Sequence, residues 1–160
     1  MNLEYAFINV SDKTNLNLIL TFLVEHTVNI CVGDLSYKYV KSKHIPFTHF
    51  LDISNPTDIN IDLIITDTPN IDSTVSTPDI DVSKVVSTID INNINMLRLA
   101  AKQYDTTITL IHPSDYEEFM VRYNTNRIDD SYRIKCAQRI FGATSKYDSL
   151  ISQYLFQQLI

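Results

Sequence analysis

Short apolar segments alternate with segments of helical periodicity along this chain, and this alternation limits the possible folds more than any other feature. The segment EYAFINV (4–10) is rich in aromatic and β-branched side chains, as strands are. Apolar side chains then recur at the helical spacing i, i+3, i+4, i+7, at Leu16, Ile19, Leu20 and Leu23. Strands that alternate with helices form βαβ units, which favour a mainly parallel sheet flanked by helices.

The same pattern continues toward the end of the sequence. Further strands are predicted within 28–33, 45–53, 61–67 and 106–111, and further helices over 35–43, 93–104, 112–124, 130–143 and 146–159. Asn92 or Asn93 is the candidate cap of the helix at 93–104. The stretch 68–83 is polar and contains proline, so we interpret it as a long excursion. The segments together predict a Rossmann-like α/β sandwich in one domain, 1–160.

The overall charge narrows the choice of partners. The formal net charge is −6, whereas general nucleic-acid binders are more often basic. Any anionic ligand must therefore be held by local groups against the field of the whole molecule.

No apolar run reaches the roughly 18 residues of a membrane span, and no secretory signal pattern is present. Cys31 and Cys136 lie among apolar residues and are predicted to be buried free thiols. These features predict a cytoplasmic protein that binds neither nucleic acid nor membrane.

Polar residues follow several predicted strands at the places where a parallel sheet would bind a ligand. They form four segments: Ser11–Thr14, Gly33–Ser36, Asp67–Pro69 and Asp90–Asn93. Ligands of such sheets lie beyond the carboxyl ends of the strands, so the convergence of these segments predicts a pocket. Turns from strand to helix need capping residues in any case, and this purely structural interpretation stays open.

The charged residues near these strand ends each have two interpretations. Lys13 either helps to hold a phosphate at a helix N-terminus or is merely solvated beside a helix that Ser11 or Asp12 caps. Asp90 is either a functional carboxylate or a cap. Lys102 lies late in its helix, where a cation also suits the helix dipole.

Metal chemistry is not indicated by the residue pattern. The four histidines show no metal-ligand spacing, and the chain has neither a Cys-Cys nor a His-Glu motif. No serine stands in a Gly-x-Ser-x-Gly elbow. We therefore predict no metal and no cofactor.

Four stretches resemble one family of enzymes. AFINVSDKTNL (6–16) resembles a strand leading into V-S-D-K-T-G, and IDINNINMLRLAAKQY (89–104) resembles I-D-I-G-G-x-x-M-L-R-A-A-A-K-N. ITLIHPSDYEEFM (108–120) is similar to a strand followed by a P-x-D-Y helix. RIKCAQRIFGATSKYDSLISQYL (133–155) is similar to R-x-x-L-A-x-K-A-F-x-H-T-A-x-Y-D-x-x-I-x-x-Y-L. The chain thus resembles the IMP cyclohydrolase domain of the bifunctional purine-biosynthesis enzyme that also carries AICAR transformylase.

The resemblance implies a methylglyoxal-synthase-like fold and a single cyclohydrolase-like domain without the transformylase domain. It implies that Asp90 and Lys102 are catalytic: Asp90 would orient a carboxamide that attacks a formyl group, and Lys102 would support Asp90 or the developing oxyanion. The substrate-binding residues implied in the same way are Ser11, Lys13, Thr14, Ser36 and Asp67. The implied partners are a purine nucleotide or another phosphorylated small molecule, and a second copy of the chain in a homodimer.

Several positions depart from the family pattern. The family's S-T-G-G-T falls on VGDLS (32–36), which puts the carboxylate of Asp34 where a backbone would cradle a phosphate. N-L-Y-P-F falls on DTPNI (67–71). The stretch bearing K-T-L-H-P is deleted, since DISNPTDINID (52–62) joins the third strand to the fourth. The histidine of H-T-A is replaced by Ala143.

Three functions compete on this basis. The first is a degenerate cyclohydrolase of purine biosynthesis, with weak or no ring closure of formyl-AICAR to IMP. The second is a non-catalytic domain that binds a nucleotide or phosphosugar. The third is a pseudoenzyme that acts through protein interaction.

Overall fold

The sheet is entirely parallel. The computed structural model describes residues 2–52 and 60–159. Its strands are β1 (Tyr5–Asn9), β2 (Asn29–Val32), β3 (Thr48–His49), β4 (Leu63–Thr66) and β5 (Ile108–Leu110). They are ordered β3-β2-β1-β4-β5, and every neighbouring pair is parallel. This is the strand order of a doubly wound Rossmann-like sheet, so the predicted fold class is confirmed.

Helices join the strands in sequence. They are α1 (Leu16–Glu25), α2 (Asp34–Ser42), α3 (Asp72–Val75), α4 (Val82–Ser87), α5 (Ile91–Lys102), α6 (Asp115–Asn124) and α7 (Asp130–Gln157). A 3₁₀ turn over Phe50–Asp52 follows β3. None of the helices in the described ranges is long and apolar enough to cross a membrane.

The C-terminal region differs from its prediction. Two helices over 130–143 and 146–159 are predicted, but α7 is one helix of 28 residues. Gly142 does not end the helix because its φ is not positive, and buried Thr144 and Tyr147 continue the packed face beyond it. The predicted excursion over 68–83 contains α3 and the start of α4, and Ile71 within it is buried. Most of the predicted deletion at 52–62 lies outside the described residues.

The core lies between the sheet and its helices. The largest cluster joins the strands to α1, α2 and α6, with Ile8, Leu20 and Phe119 almost fully buried. Two smaller clusters hold α5 against α7 through Leu97 with Ile140 and through Ile94 with Tyr147. Both predicted free thiols, Cys31 and Cys136, are buried, and burial raises the pKa of each. The carboxyl ends of β1 and β4 thus lie side by side at the switch point of the sheet.

Candidate functional site at the strand ends

Two cavities open where the strands end. The larger one, the large cleft, has a volume of about 570 Å³ and lies beyond β1, β4 and β5. The smaller one, the small cavity, has a volume of about 350 Å³ and lies beyond β1 and β2. Ser11, Asp12 and the segment 67–69 line the large cleft, whereas Gly33–Leu35 and Asp90 line the small cavity. The predicted convergence of the four polar segments at one edge is therefore observed.

The loop after β1 is occupied by the chain's own carboxylate. Asp67 Oδ2 accepts hydrogen bonds from the amide of Ser11 at 2.7 Å, the hydroxyl of Ser11 at 2.6 Å and the amide of Asp12 at 2.8 Å. Ser11 and Asp67 were both predicted to bind substrate. The structure brings them together, but their polar groups satisfy each other.

Lys13 turns back onto its own loop. Its ammonium donates to the carbonyl oxygens of Val10 and, at 3.1 Å, of Ser11. Burial lowers the pKa of Lys13, and the nearby carboxylates of Asp67 and Asp12 oppose that shift. The ammonium thus caps the carboxyl end of β1 in this conformation.

Neither of the predicted caps of α1 is present. The helix begins after Asn15, which has a left-handed φ of 56° and no side-chain cap bond. Asp12 Oδ1 instead accepts from the amide of Thr14 at 2.8 Å, forming a local turn, and this bond lowers the pKa of Asp12. Thr14 was predicted to bind substrate, and its amide is engaged in this turn. The short turn separates the polar residues from the helix, so they cannot serve as its N-cap.

At the start of α2, where the resemblance places a phosphate loop, the hydrogen-bond donors are also bonded by other groups of the chain. Asn9 Oδ1 accepts from the amide of Leu35 at 3.1 Å. Ser36, predicted to bind substrate, is fully buried, and its hydroxyl accepts from the amide of Val10 at 2.9 Å. Ser36 therefore links β1 to α2, and its role in substrate binding stays a prediction. The exposed Asp34 carboxylate lies 3.0 Å from His49 Nε2.

Gly33 is needed at this junction because Asn9 presses against it. A Cβ on Gly33 would lie 2.5 Å from Asn9 Oδ1. We expect Gly33→Ala to lower the free energy of unfolding by about 1–3 kcal/mol, as overpacking does. Urea denaturation measures this change.

Gly142 provides the matched control for that substitution. It lies inside α7, and an added Cβ would find its nearest neighbour at 3.9 Å. Gly142→Ala should raise stability by about 0.5–1 kcal/mol through helix propensity. Equal effects of the two substitutions would contradict the close approach at Gly33.

The two residues predicted to be catalytic lie at opposite ends of α5. Asp90 is the N-cap residue, and its Oδ1 accepts from the amide of Asn93 at 2.9 Å. Lys102 is the last residue of the helix. A rise of 1.5 Å per residue separates the two positions by about 18 Å along the axis. One continuous helix does not bring its two ends together, so α5 does not place Lys102 beside Asp90. The catalytic roles of the two residues, including support of the developing oxyanion by Lys102, stay predictions.

Asp90 caps α5, as its structural interpretation predicted. The prediction that Asn92 or Asn93 is the cap of this helix is wrong. The amide of Asp90 also donates to the hydroxyl of Tyr147 at 3.0 Å. Asn93 instead links α5 to the end of β4, because its Nδ2 donates to the carbonyl oxygen of Asp67 at 3.3 Å. Asp90 is thereby fixed between α5 and α7.

Sequence reasoning missed residues that shape the site. Asn9 is the last residue of β1, and its side chain accepts from the amide of Leu35 at the start of α2. A polar residue at the end of a strand could have been predicted to bond a neighbouring segment. Tyr147 and Lys146 line the large cleft from α7. Tyr147 belongs to an apolar helical stripe with Leu150, Ile151 and Tyr154, which indicates core packing, and Lys146 is an exposed residue beside it. His112 also lines the large cleft, just after β5.

The charge of the large cleft is mainly negative. It is lined by the carboxylates of Asp12, Asp67 and Asp72 and by the ammonium of Lys146, which lies 3.3 Å from Asp72 Oδ2. Among the described residues, no group of three histidine, cysteine or acidic side chains could hold a metal ion. A negatively charged ligand would be repelled by these carboxylates.

The fold and the strand-end site define a class: a Rossmann-like α/β domain with its candidate site at the switch point of a parallel sheet. Residues 100–159 match the family model described as AICARFT/IMPCHase bienzyme. The chain is 34% identical over 94 residues to the bifunctional purine biosynthesis protein PurH of Staphylococcus aureus (strain USA300), a match that covers 59% of this chain and 19% of that protein. These two matches support a PurH-like domain of the IMP cyclohydrolase type.

A solved structure shares the fold over nearly the whole chain. The crystal structure of ForH superposes with a TM-score of 0.76 and covers 96% of this chain and 99% of that chain. The sequence identity is 17%, so this likeness concerns the fold alone. The sequence match to PurH spans about a fifth of that protein's length, 19%. The absence of a transformylase domain stays a prediction.

Proposed function

We propose that this PurH-like domain is a pseudoenzyme that keeps the cyclohydrolase scaffold without catalysing ring closure of formyl-AICAR to IMP. The observation that carries the proposal is the filled start of α2. The amide of Leu35 already donates to Asn9 Oδ1, and the hydroxyl of Ser36 is buried against Val10. A substrate phosphate would find these donors engaged, at a position where the resemblance implies that a phosphate is cradled.

Local charge adds to the effect of these engaged donors. Asp34 contributes a carboxylate at the same helix start, and Asp90 lines the same small cavity. A phosphorylated substrate brings further negative charge, which these carboxylates would repel. The small cavity therefore suits a nucleotide poorly.

The engagement of Asp90 also supports the proposal. Its Oδ1 already accepts from the amide of Asn93 as the cap of α5. The separation of about 18 Å between Asp90 and Lys102 along α5 does not distinguish an enzyme from a pseudoenzyme, because the resembled motif has the same twelve-residue spacing. Ring closure depends on positioning and charge stabilisation, so it needs groups that converge on one substrate. A cytoplasmic location, a purine-nucleotide partner and homodimer formation stay predictions. Interaction with another protein is the use that we infer for a domain whose donors at the start of α2 are already engaged.

A ring-closure assay tests the proposal. Purified protein is mixed with formyl-AICAR, and IMP is measured over time beside Staphylococcus aureus PurH as the positive control. Losing one preorganised donor typically lowers a rate by about 100- to 1,000-fold, and several donors are engaged here. We expect a rate equal to that of the protein-free reaction.

An Asp90→Ala variant makes the assay decisive. A rate that rises in proportion to protein concentration, and that Asp90→Ala abolishes in a folded protein, would show that the domain is an enzyme. A low rate that is the same in both proteins would instead indicate a trace contaminant, and it would leave the proposal standing. Circular dichroism confirms that the variant is folded.

A further inference from the structure

Positive charge is concentrated on α2, from its middle onward, and on the turn that follows it. Lys38, Lys41, Lys43 and His44 are all exposed, and we call these four residues the α2 lysine surface. Residues 35–48 contain no acidic residue, whereas the whole chain has a formal net charge of −6. The α2 lysine surface is therefore a local reversal of the charge that the rest of the chain carries.

The lysines of this surface are not neutralised by the protein itself. Within the part of the chain that the structure describes, Lys38, Lys41 and Lys43 form no salt bridge. By contrast, Lys135 and Lys146 each pair with a carboxylate. The charge of the α2 lysine surface is thus available to an external group of opposite sign.

Tyrosine rings hold two of these lysines in place. The ammonium of Lys41 lies 5.3 Å from the centre of the Tyr37 ring and donates to its hydroxyl oxygen at 3.3 Å. The ammonium of Lys43 lies 4.8 Å from the centre of the Tyr39 ring. Both rings are half-buried and pack against the largest core cluster. Because cation–π contacts restrict the two lysine side chains, a partner that binds them causes a smaller loss of conformational freedom.

The helix dipole explains only part of this arrangement. Lys41 lies in the last turn of α2 and Lys43 is its C-cap residue, where a cation is favourable. That effect is confined to the last turn, so it does not account for Lys38. Residues three apart are neighbours on a helix surface, and like charges at Lys38 and Lys41 therefore repel each other. A partner with negative charge would relieve this repulsion.

The tyrosine rings also favour one kind of anionic partner. Single-stranded nucleic acids are bound largely by stacking of their bases on aromatic rings. Tyr37 and Tyr39 each lie against a lysine ammonium and the core, and Tyr37 also packs edge-on against Phe47 and His49. These rings offer little surface for a base. A row of carboxylates needs only the exposed ammonium groups, so an acidic protein segment fits better.

We propose that the α2 lysine surface binds an acidic segment of a partner protein, whose carboxylates pair with the ammonium groups of Lys38, Lys41 and Lys43. The argument for this occupant is the complementarity of charge. The proposal rests on the proposed function in that it gives the inferred protein interaction a surface and a class of partner. It uses other groups than the start of α2, so peptide binding and ring closure are measured separately and either can fail alone.

Binding of a fluorescently labelled octaglutamate peptide to matched variants tests this proposal. Lys41→Gln/Lys43→Gln removes two charges from the α2 lysine surface, and Lys84→Gln/Arg127→Gln removes two exposed charges elsewhere. We expect fluorescence anisotropy at low ionic strength to show about five- to tenfold weaker binding for the first double variant. The control and the charge-conserving Lys41→Arg/Lys43→Arg should bind within about twofold of the wild type. Circular dichroism confirms that each variant is folded.

Three results would overturn the proposal. The first is the absence of saturable binding of octaglutamate to the wild type. The second is equal weakening in the two glutamine variants, which would reflect total charge and not this surface. The third is tighter binding of a single-stranded oligouridylate than of octaglutamate, lost in the Lys41→Gln/Lys43→Gln variant, which would assign the surface to nucleic acid. Enzymatic formation of IMP would contradict the proposed function alone.

Discussion

Phe119→Ala is expected to lower the free energy of unfolding by about 3–5 kcal/mol, the usual cost of removing a buried aromatic ring. Phe119 is fully buried in α6, and its ring lies 6.0 Å from that of Phe22 in α1 and 6.1 Å from that of Tyr123. These rings join α6 to α1 over the sheet, and a packed interior closes such a cavity only in part. The substitution should therefore loosen the contact that holds the two helices on one face.

Phe141→Ala is the matched control for that prediction. Phe141 lies in α7 with 49% of its surface exposed, so the same chemical change there should alter stability by no more than about 0.5 kcal/mol. Urea unfolding followed by circular dichroism measures both changes, and unchanged m-values would show that the denatured state is unaffected. Similar losses for the two variants would contradict the assignment of Phe119 to the core.

The sheet could be predicted from sequence because its signals are local. The aromatic and β-branched residues of 4–10 gave β1, and the spacing of Leu16, Ile19, Leu20 and Leu23 gave α1, within a few residues of the observed bounds. The ends of helices were harder to predict. The break predicted between 143 and 146 is absent, because buried Thr144 and Tyr147 continue the packed face of α7 across it.

The position of the candidate site could be predicted from the sequence, but the hydrogen-bond partners of its residues could not. The four polar segments do meet at the carboxyl edge, because parallel strands place their ends together. The partner of each polar group depends on contacts between distant segments: Ser11 and Asp67 are separated by 56 positions, and Asn9 and Leu35 by 26. The twelve residues between Asp90 and Lys102 match the spacing of the resembled motif, so this spacing favoured the catalytic interpretation although it places the two residues at opposite ends of α5.

The donors at the two strand ends are bonded by different acceptors. At the start of α2 the acceptor is the neutral amide oxygen of Asn9, next to Gly33. In the loop after β1 the acceptor is the charged carboxylate of Asp67. In both places a side chain from a distant part of the sequence bonds the backbone amides, so neither set of donors is unpaired.

Asp115→Ala is expected to cost about 2–4 kcal/mol of unfolding free energy. Its carboxylate is 7% exposed, pairs with Arg139 of α7 and accepts from the amide of His112 at 3.2 Å. Removing one partner of a buried pair typically costs about 3–5 kcal/mol, and the cost here is lower because Arg139 remains 37% exposed. The loss should also release the loop after β5, where His112 lines the large cleft.

Asp148→Ala serves as the control because Asp148 forms a comparable ion pair at the surface. Asp148 pairs with Arg98, with side-chain exposures of 55% and 38%, so its loss should cost at most about 1 kcal/mol. Arg139→Met in the Asp115→Ala background should then cost little more, because the guanidinium has already lost its partner. Additive costs for Asp115→Ala and Arg139→Met would show that the two side chains stabilise the fold independently, and burial of the pair would not explain the effect.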